Sequence, residues 1–422
     1  MPRKRVIYQS EALFVSATGS NFKYVTGNWD SGQYNVGAAT AANRHNASLN
    51  TSDFSLVSQT GANNINVTNG FYNAFFTGTL PLEAFNSGLL NLVNQLNRVQ
   101  SANYSFEVTR QDINQYGQLA SIDRIILEQP TVNFDFSYYL NSGENEANLG
   151  LSVATGVGII ATAGTPALSG ILTAGKDTNN YYILTVGEGK DANIDGKSGG
   201  KVIGIGNGFL SSYSMEASVG NIPTVSVNGE GMNMRFYAGT DTQTLPTINP
   251  EDGSSVAGTF TIPTPVTGAG YSALRPGDVD LTIAGATGVL ASDLKIQSAS
   301  IQFDLSRDPI QKLGSRFAFT REIQFPVTVT MSVDAIMGDI QAANLADVIN
   351  NDSAKHNLQI KINKPNSDTE AVSYVLRGAK LDSQDFSSSV GDNKSVTLTW
   401  SAQIGGPNDQ VGGLFIFANT NT

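Results

Sequence analysis

Two histidines, His45 and His356, are the residues best suited to move protons or hold a metal near neutral pH, and the chain has no others. They stand in dissimilar polar stretches and in no metal-ligand spacing. Both are expected as solvated loop residues. The stretch "DANIDGKSGGKV" begins like a calcium loop, with Asp191, Asn193, Asp195 and Gly196 at its first, third, fifth and sixth positions. Val202 stands where a bidentate Glu should close such a loop, so an Asp-Gly turn between strands is the expectation. "VIGIGNGFL" (202–210) has the glycines of a dinucleotide loop, but no βαβ pattern surrounds it and no acid follows at the right distance. It reads as a glycine-softened strand. With no G-x-S-x-G elbow and no cysteine, the sequence builds no nucleophile. No catalytic, cofactor-binding or metal residue is assigned, and the chain is expected to be neither an enzyme nor a cofactor carrier.

The elements around these residues are those of a β protein. At 422 residues, two or three domains are expected. Only 14% of residues are charged, 40% are apolar, and Gly, Ser, Thr and Asn are abundant, which suits pleated strands joined by many turns. The net charge of −11 argues against phosphate-gripping nucleic-acid binding and against docking on anionic membranes. It leaves room for a surface past which nucleic acid slides without sticking. The absence of cysteine fits a reducing cytoplasm. The opening "MPRKRVIYQSEALFVS" has a basic patch but no apolar core, so no signal peptide is expected. Residues 150–172 carry no charge but consist of small residues interrupted by Pro166, which predicts a loop leading into a short helix and not a membrane span.

One strand is spelled twice. "VQSANYSFEVTR" (99–110) returns as "IQSASIQFDLSR" (296–307), and the offset relating Val99 to Ile296 runs without a gap to Arg124 and Arg321. Identities fall at Gln100/Gln297, Ser101/Ser298, Ala102/Ala299, Phe106/Phe303, Arg110/Arg307, Ile113/Ile310, Gly117/Gly314 and Arg124/Arg321. In both copies one face is apolar: Ala102, Tyr104, Phe106 and Val108 in the first, Ala299, Ile301, Phe303 and Leu305 in the second. Period two with one apolar face predicts half-buried strands. The following strand repeats as well, with Val132, Phe134, Phe136 and Tyr138 echoed by Val327, Val329, Met331 and Val333. Further on, "ALSGIL" (167–172) parallels "NLADVI" (344–349), "YYILTV" parallels "NLQIKI", and "SVGNIPTVSV" (218–227) parallels "SVGDNKSVTL" (389–398). Five matched elements in one order indicate a duplication.

The expected organisation is an N-terminal arm or inserted region over 1–84 without a clear counterpart, a first unit over 85–235, a Thr/Pro/Gly-rich linker or arm over 236–282, and a second unit over 283–422. Within "PLEAFNSGLLNLVNQLN", Leu82, Phe85, Leu89, Leu92 and Leu96 have helical spacing and predict a short amphipathic helix before the first repeated strand.

The stretches "RVQSANYSFEVTRQDINQYGQLASIDR", "EQPTV" with its strand, "YYLNSGENEANLGL", "VIYQSEALFVSATG" and "SVGNIPTVSVNGEGMNM" resemble the tail tube (major tail) proteins of long-tailed bacteriophages, over about two thirds of the chain. The resemblance implies a mainly β fold of two tandem tail-tube-like units, each a β-sandwich with a hairpin for an inner barrel and a short helix. It implies rings stacked into a hollow tube, and the duplication then implies three chains per ring as a pseudo-hexamer. The implied partners are further copies of the chain and other tail proteins (terminator, tape measure, baseplate), with genomic DNA in transit and no membrane. The implied location is the virion tail, after synthesis in the host cytoplasm. On this reading the polar strand faces line the lumen: Asn103 to Thr109, Asn133 to Ser137, Ser300 to Ser306 and Thr328 to Asp334 at alternate positions, with Glu107, Asp135, Asp304 and Asp334 as the acids and no Lys or Arg among these face residues. The long loops 111–129 and 308–325 would reach the next ring. Arg110, Arg124, Arg307 and Arg321 flank them and would either pair with acids of a neighbouring subunit or cap strand ends. Two other readings are a phage baseplate hub or distal tail ring, and a secreted carbohydrate-binding β-sandwich. The latter is weakened by a count of two tryptophans, Trp29 and Trp400.

Overall fold

The structure is a computed structural model. It describes residues 11–17, 58–59, 65–68, 71–72 and most of 93–418, with its longer breaks at 159–164, 193–196, 266–273, 285–293, 338–354 and 405–411. In chain order the strands are β1 (Glu11–Ala17), β2 (Ser58–Gln59), β3 (Ile65–Thr68), β4 (Phe71–Tyr72), β5 (Asn94–Gln95), β6 (Val99–Glu107), β7 (Arg110–Ile113), β8 (Asp123–Ile126) and β9 (Thr131–Tyr139). A helix over Glu144–Asn148, β10 (Val153–Thr155) and a helix over Ser169–Thr173 lead to β11 (Asn179–Thr185), β12 (Lys201–Ser218), β13 (Thr224–Gly231), β14 (Asn233–Tyr237), β15 (Gln243–Thr244) and β16 (Thr259–Phe260). There follow β17 (Val279–Ala284), β18 (Leu294–Asp304), β19 (Arg307–Ile310), β20 (Thr320–Ile323), β21 (Val327–Met337), β22 (His356–Asn363), β23 (Glu370–Ser387), β24 (Ser395–Ile404) and β25 (Gly413–Ala418).

The fold is mainly β. Eight strands form one antiparallel layer in the order β6-β9-β13-β12-β18-β21-β24-β23. Side-chain alternation gives this layer two unlike faces. On one, Phe136, Val227, Tyr213, Phe303, Met331 and Trp400 are buried, each large side chain contributing about 1.5–3 kcal/mol relative to exposure. The other is lined by polar residues (below). The apolar face is covered by two outer sheets, β5-β1-β11-β12-β14 and β17-β22-β23-β25-β10. Leu13, Tyr181 and Ile183 from one and Leu358, Ile360 and Ile416 from the other join the same core.

β12 and β23, each 18 residues long, serve both layers. Their first halves lie in the outer sheets and their second halves in the eight-stranded layer. The change comes at matching bulges, between Leu210 and Ser212 and between Leu381 and Ser383. An extra residue bends a strand and increases its twist, which lets one strand turn a sandwich corner. The glycines of "VIGIGNGFL" sit in β12, where neighbours come too close for a side chain: a Cβ on Gly206 would lie 2.2 Å from the Pro246 carbonyl oxygen.

Ladder registers repeat, and for β9 and β21 they correct the sequence echo by two residues, Phe136 corresponding to Val333 and not to Met331. β6 slips on β9 between Val99 and Ser101, and β18 slips on β21 between Ile296 and Ser298; then Ala102 faces Phe136 as Ala299 faces Val333. The slip of β11 on β12 between Asn179 and Tyr181 returns between His356 and Leu358 of β22. That makes Tyr181 the equivalent of Leu358, one residue along from the alignment of "YYILTV" with "NLQIKI". β1 also has an equivalent: Leu13 faces Ile183 as Leu281 of β17 faces Ile360. The sequence shows no such counterpart for the N-terminal region, and the pairing supplies one.

Other expectations need correction. The described end of the predicted amphipathic helix is extended, Asn94–Gln95 forming β5 against β1 with Leu96 buried; Leu82, Phe85, Leu89 and Leu92 lie outside the described residues. His356 is a buried residue at the start of β22 and not a solvated loop residue, while His45 lies outside the described residues. So do Asp191, Asn193 and Asp195 of the calcium-like stretch, and 344–349 of the second predicted helix. The first, "ALSGIL", overlaps the helix Ser169–Thr173. Among the described residues no helix is long and apolar enough to cross a membrane.

Candidate functional site

The polar face of the eight-stranded layer gathers the acids that the strand patterns single out. Glu107 on β6, Asp135 on β9, Asp304 on β18 and Asp334 on β21 all lie on it. Four strands whose place the sequence did not show extend the face with Glu216, Glu230 and Asp385 and with Lys380; Lys295 at the start of β18 is a second cation on it. Short polar side chains fill the rows between. Asn103 Nδ2 donates to Asp135 at 2.7 Å, Ser298 and Thr397 donate to Asp334 at 2.7 and 2.6 Å, and Asn228 donates to Ser212 at 2.7 Å. A shallow groove of about 240 Å³ runs over Asn103, Asp135, Asn228 and Glu230. No group of three or more metal-ligating side chains occurs among the described residues. The face can present negative charge and short hydroxyls and amides.

The four loop-flanking arginines divide into two kinds. Arg307 and Arg321, both nearly buried, bind the β19–β20 hairpin to the first repeat of the same chain. Arg307 pairs with Asp177 at 2.6 Å and donates to the Leu210 and Arg321 carbonyls; Arg321 pairs with Glu230 at 2.8 Å. Both guanidinium groups stack on Phe209, at 5.0 and 5.7 Å. Arg124 pairs with Asp112 inside the β7–β8 hairpin, where both are exposed, and Arg110 is exposed too. The two hairpins, alike in sequence, therefore differ in setting. Both tips are exposed, Tyr116 and Leu119 on β7–β8 and Leu313 on β19–β20, but β19–β20 is fastened to its own chain near its base, with Ala318 buried. Arg307→Ala is expected to lower the unfolding free energy by about 2 kcal/mol in urea titrations, less than a fully buried pair because Asp177 stays partly hydrated.

A buried acid that the sequence did not single out joins the two repeats. Glu146, in the helix Glu144–Asn148, accepts hydrogen bonds at Oε1 from Tyr138 (2.7 Å), Tyr213 (3.2 Å) and Tyr374 (3.4 Å), the last from the second repeat. The Tyr213 and Tyr374 hydroxyls also bond each other at 2.7 Å. Burial raises the carboxyl's pKa above its ordinary value, and the three tyrosine hydroxyls oppose that rise only in part. Nothing in "GENEANLG" marks this residue, because its partners arrive from three distant strands. Nearby, Gly158 N–H donates to Glu370 at 2.7 Å and its carbonyl accepts from Gln359 at 2.8 Å, fastening the segment after β10 to the second repeat.

Among the described residues the layer is open at both ends: β6 pairs only with β9, and the second half of β23 pairs only with β24. No family model and no curated sequence matches this chain. What the site offers is thus read from its geometry: an acidic, hydroxyl-rich sheet face bounded by two unpaired strand edges.

Proposed function

We propose that the chain is a structural subunit of a hollow protein tube, of the kind that long-tailed phages use as a tail tube, with the acidic face turned to the lumen. The observation that carries this reading is the eight-stranded layer, apolar and covered on one side, polar and acidic on the other, with both edges unpaired among the described residues. An open edge offers unpaired backbone groups to another chain, and closing a sheet on itself removes them. Each chain contributes two repeats with matching registers, so three chains would close a ring of six similar units. Their layers would supply twenty-four strands. At about 4.8 Å per strand, the backbone ring is roughly 37 Å or more across, a bore that admits a DNA duplex.

In such a bore the acids repel phosphate and release no counterions, so DNA gains no grip on the wall. Small hydroxyl and amide side chains keep the wall smooth. The double variant Glu107→Lys with Asp304→Lys is expected to assemble and to slow genome release from particles, since cations on the wall bind phosphates. An unchanged release rate from intact tubes would contradict the lumen assignment. The reading as a whole is tested by light scattering on the purified chain of 44.6 kDa over a concentration series. Multiples of three chains growing into long polymers are expected; a monomer at every concentration would sink the proposal, and a single closed ring that never grows would favour a hub or distal ring protein.

A further inference from the structure

We propose that the two free edges of the layer, β6 and the second half of β23, pair with each other between copies of this chain in the register that joins β12 to β18 inside one chain. This rests on the ring reading above and specifies its closing contact.

The inner junction is the template. β12 runs antiparallel to β18, with Tyr213 opposite Phe303 and Met215 opposite Ile301. Leu305 N–H donates to the Ser211 carbonyl at 2.7 Å and Val219 N–H to the Gln297 carbonyl at 2.9 Å. Bonded and non-bonded pairs alternate in an antiparallel ladder, so the pairs between these two, Phe303/Tyr213, Ile301/Met215 and Ala299/Ala217, are the bonded ones.

The outer edges are the same two edges without their partner. β6 sits on β9 as β18 sits on β21, and β23 sits on β24 as β12 sits on β13, bulges included. The burial of equivalent residues shows what is missing. Phe303 is 2% exposed, and its equivalent Phe106 is 61% exposed; Met215 is 0% exposed, and its equivalent Phe386 is 50% exposed. Residue type and register within the repeat are shared or similar, so the difference comes from the neighbouring strand. A second copy is the occupant that supplies it, because its β23 edge fits the β6 edge and its β6 edge fits the β23 edge. Transferring the β12–β18 register sets Phe386 opposite Tyr104 of the second copy, Gln384 opposite Phe106 and Asp385 opposite Ser105.

The chain has no cysteine, which makes cross-linking a clean reading of this register. β6 and β23 are separated by six other strands of the layer, seven steps of about 4.8 Å or roughly 34 Å along the sheet, so cysteines on both cannot meet within one chain. The variant Ser105→Cys with Asp385→Cys, assembled and mildly oxidised, is expected to give a ladder of covalent multimers ending at three chains on denaturing gels. Ser105→Cys with Ser383→Cys, and Ser105→Cys with Ser387→Cys, are expected to cross-link at least several-fold less. Preferential cross-linking of either shifted pair overturns the register while leaving the ring intact. If no pair cross-links, light scattering separates the cases: persisting assemblies overturn edge pairing alone, and monomers overturn the ring reading with it. Hydrogen exchange on the unmodified chain provides an independent check, since the amides of Ala102, Tyr104 and Phe106 should gain protection on assembly; no gain overturns the proposal.

Discussion

Ala102→Pro is expected to leave the chain folded but unable to assemble, while the same change at its equivalent, Ala299→Pro, is expected to destabilise the fold strongly. Proline removes a backbone donor and is tolerated in sheets only where that donor faces no strand. Ala299 lies opposite Ala217 in the β12–β18 ladder, and both are buried. Losing its N–H breaks a ladder bond and leaves a buried carbonyl unpaired, and with the ring's clash the cost is about 3 kcal/mol or more. Ala102 stands in the same place in β6, but its N–H points to the open edge, so the monomer loses little, about 1 kcal/mol of strain. Urea titrations should therefore show near-native stability for Ala102→Pro and a large loss for Ala299→Pro, while light scattering finds the former monomeric. Assembly of Ala102→Pro at the wild-type level would remove β6 from the contact.

The second large effect is expected at the junction between the repeats. Glu146→Ala removes the acceptor shared by three tyrosines. Tyr213 and Tyr374 keep each other, and Tyr138 is left without this bond, so the loss is about 2–4 kcal/mol including the cavity. Acid and neutral pH should also act differently on the wild type. The carboxyl's pKa is raised in the folded chain by burial, from an ordinary value of 4.5. The folded state thus holds its proton more tightly than the unfolded one. The stabilisation from the protonated group is full below about 4.5 and fades as pH rises through the folded-state value. Glu146→Gln stays neutral throughout, so the wild type should lose stability relative to it as pH rises above 4.5, measured by denaturant titration at each pH. Parallel curves would show that the group does not titrate differently on folding.

The β class and the strand faces were legible in the sequence because period two needs no tertiary information. Val132 to Tyr138 and Ile301 to Leu305 alternate apolar and polar, and both strands bury the apolar set. The repeat was legible where bulges and turns kept their residues, as at Gln100/Gln297 and Gly117/Gly314, both glycines having φ of 88°. It blurred where only shape is retained. "YYILTV" and "NLQIKI" align best by composition one residue away from their pairing, a slip that would turn every side chain to the other face. β1 and β17 share little beyond apolar character, and the equivalence of Leu13 and Leu281 appears only through Ile183 and Ile360. The acids of the polar face were half visible. Glu107, Asp135, Asp304 and Asp334 follow from their own strands, whereas Glu216, Glu230 and Asp385 join the face through strand order, which no local pattern encodes. The arginines mislead for a related reason: Arg110 and Arg307 are one residue in the repeat, but only Arg307 has a chain beside it to bind.

Cryo-electron microscopy of the assembled chain tests the central claim most directly. A hollow tube is expected, with three chains per ring and a continuous inner wall of twenty-four strands in which Phe106 and Phe386 are both covered. Six whole chains per ring, or a wall whose β6 and β23 edges stay apart, would contradict the account.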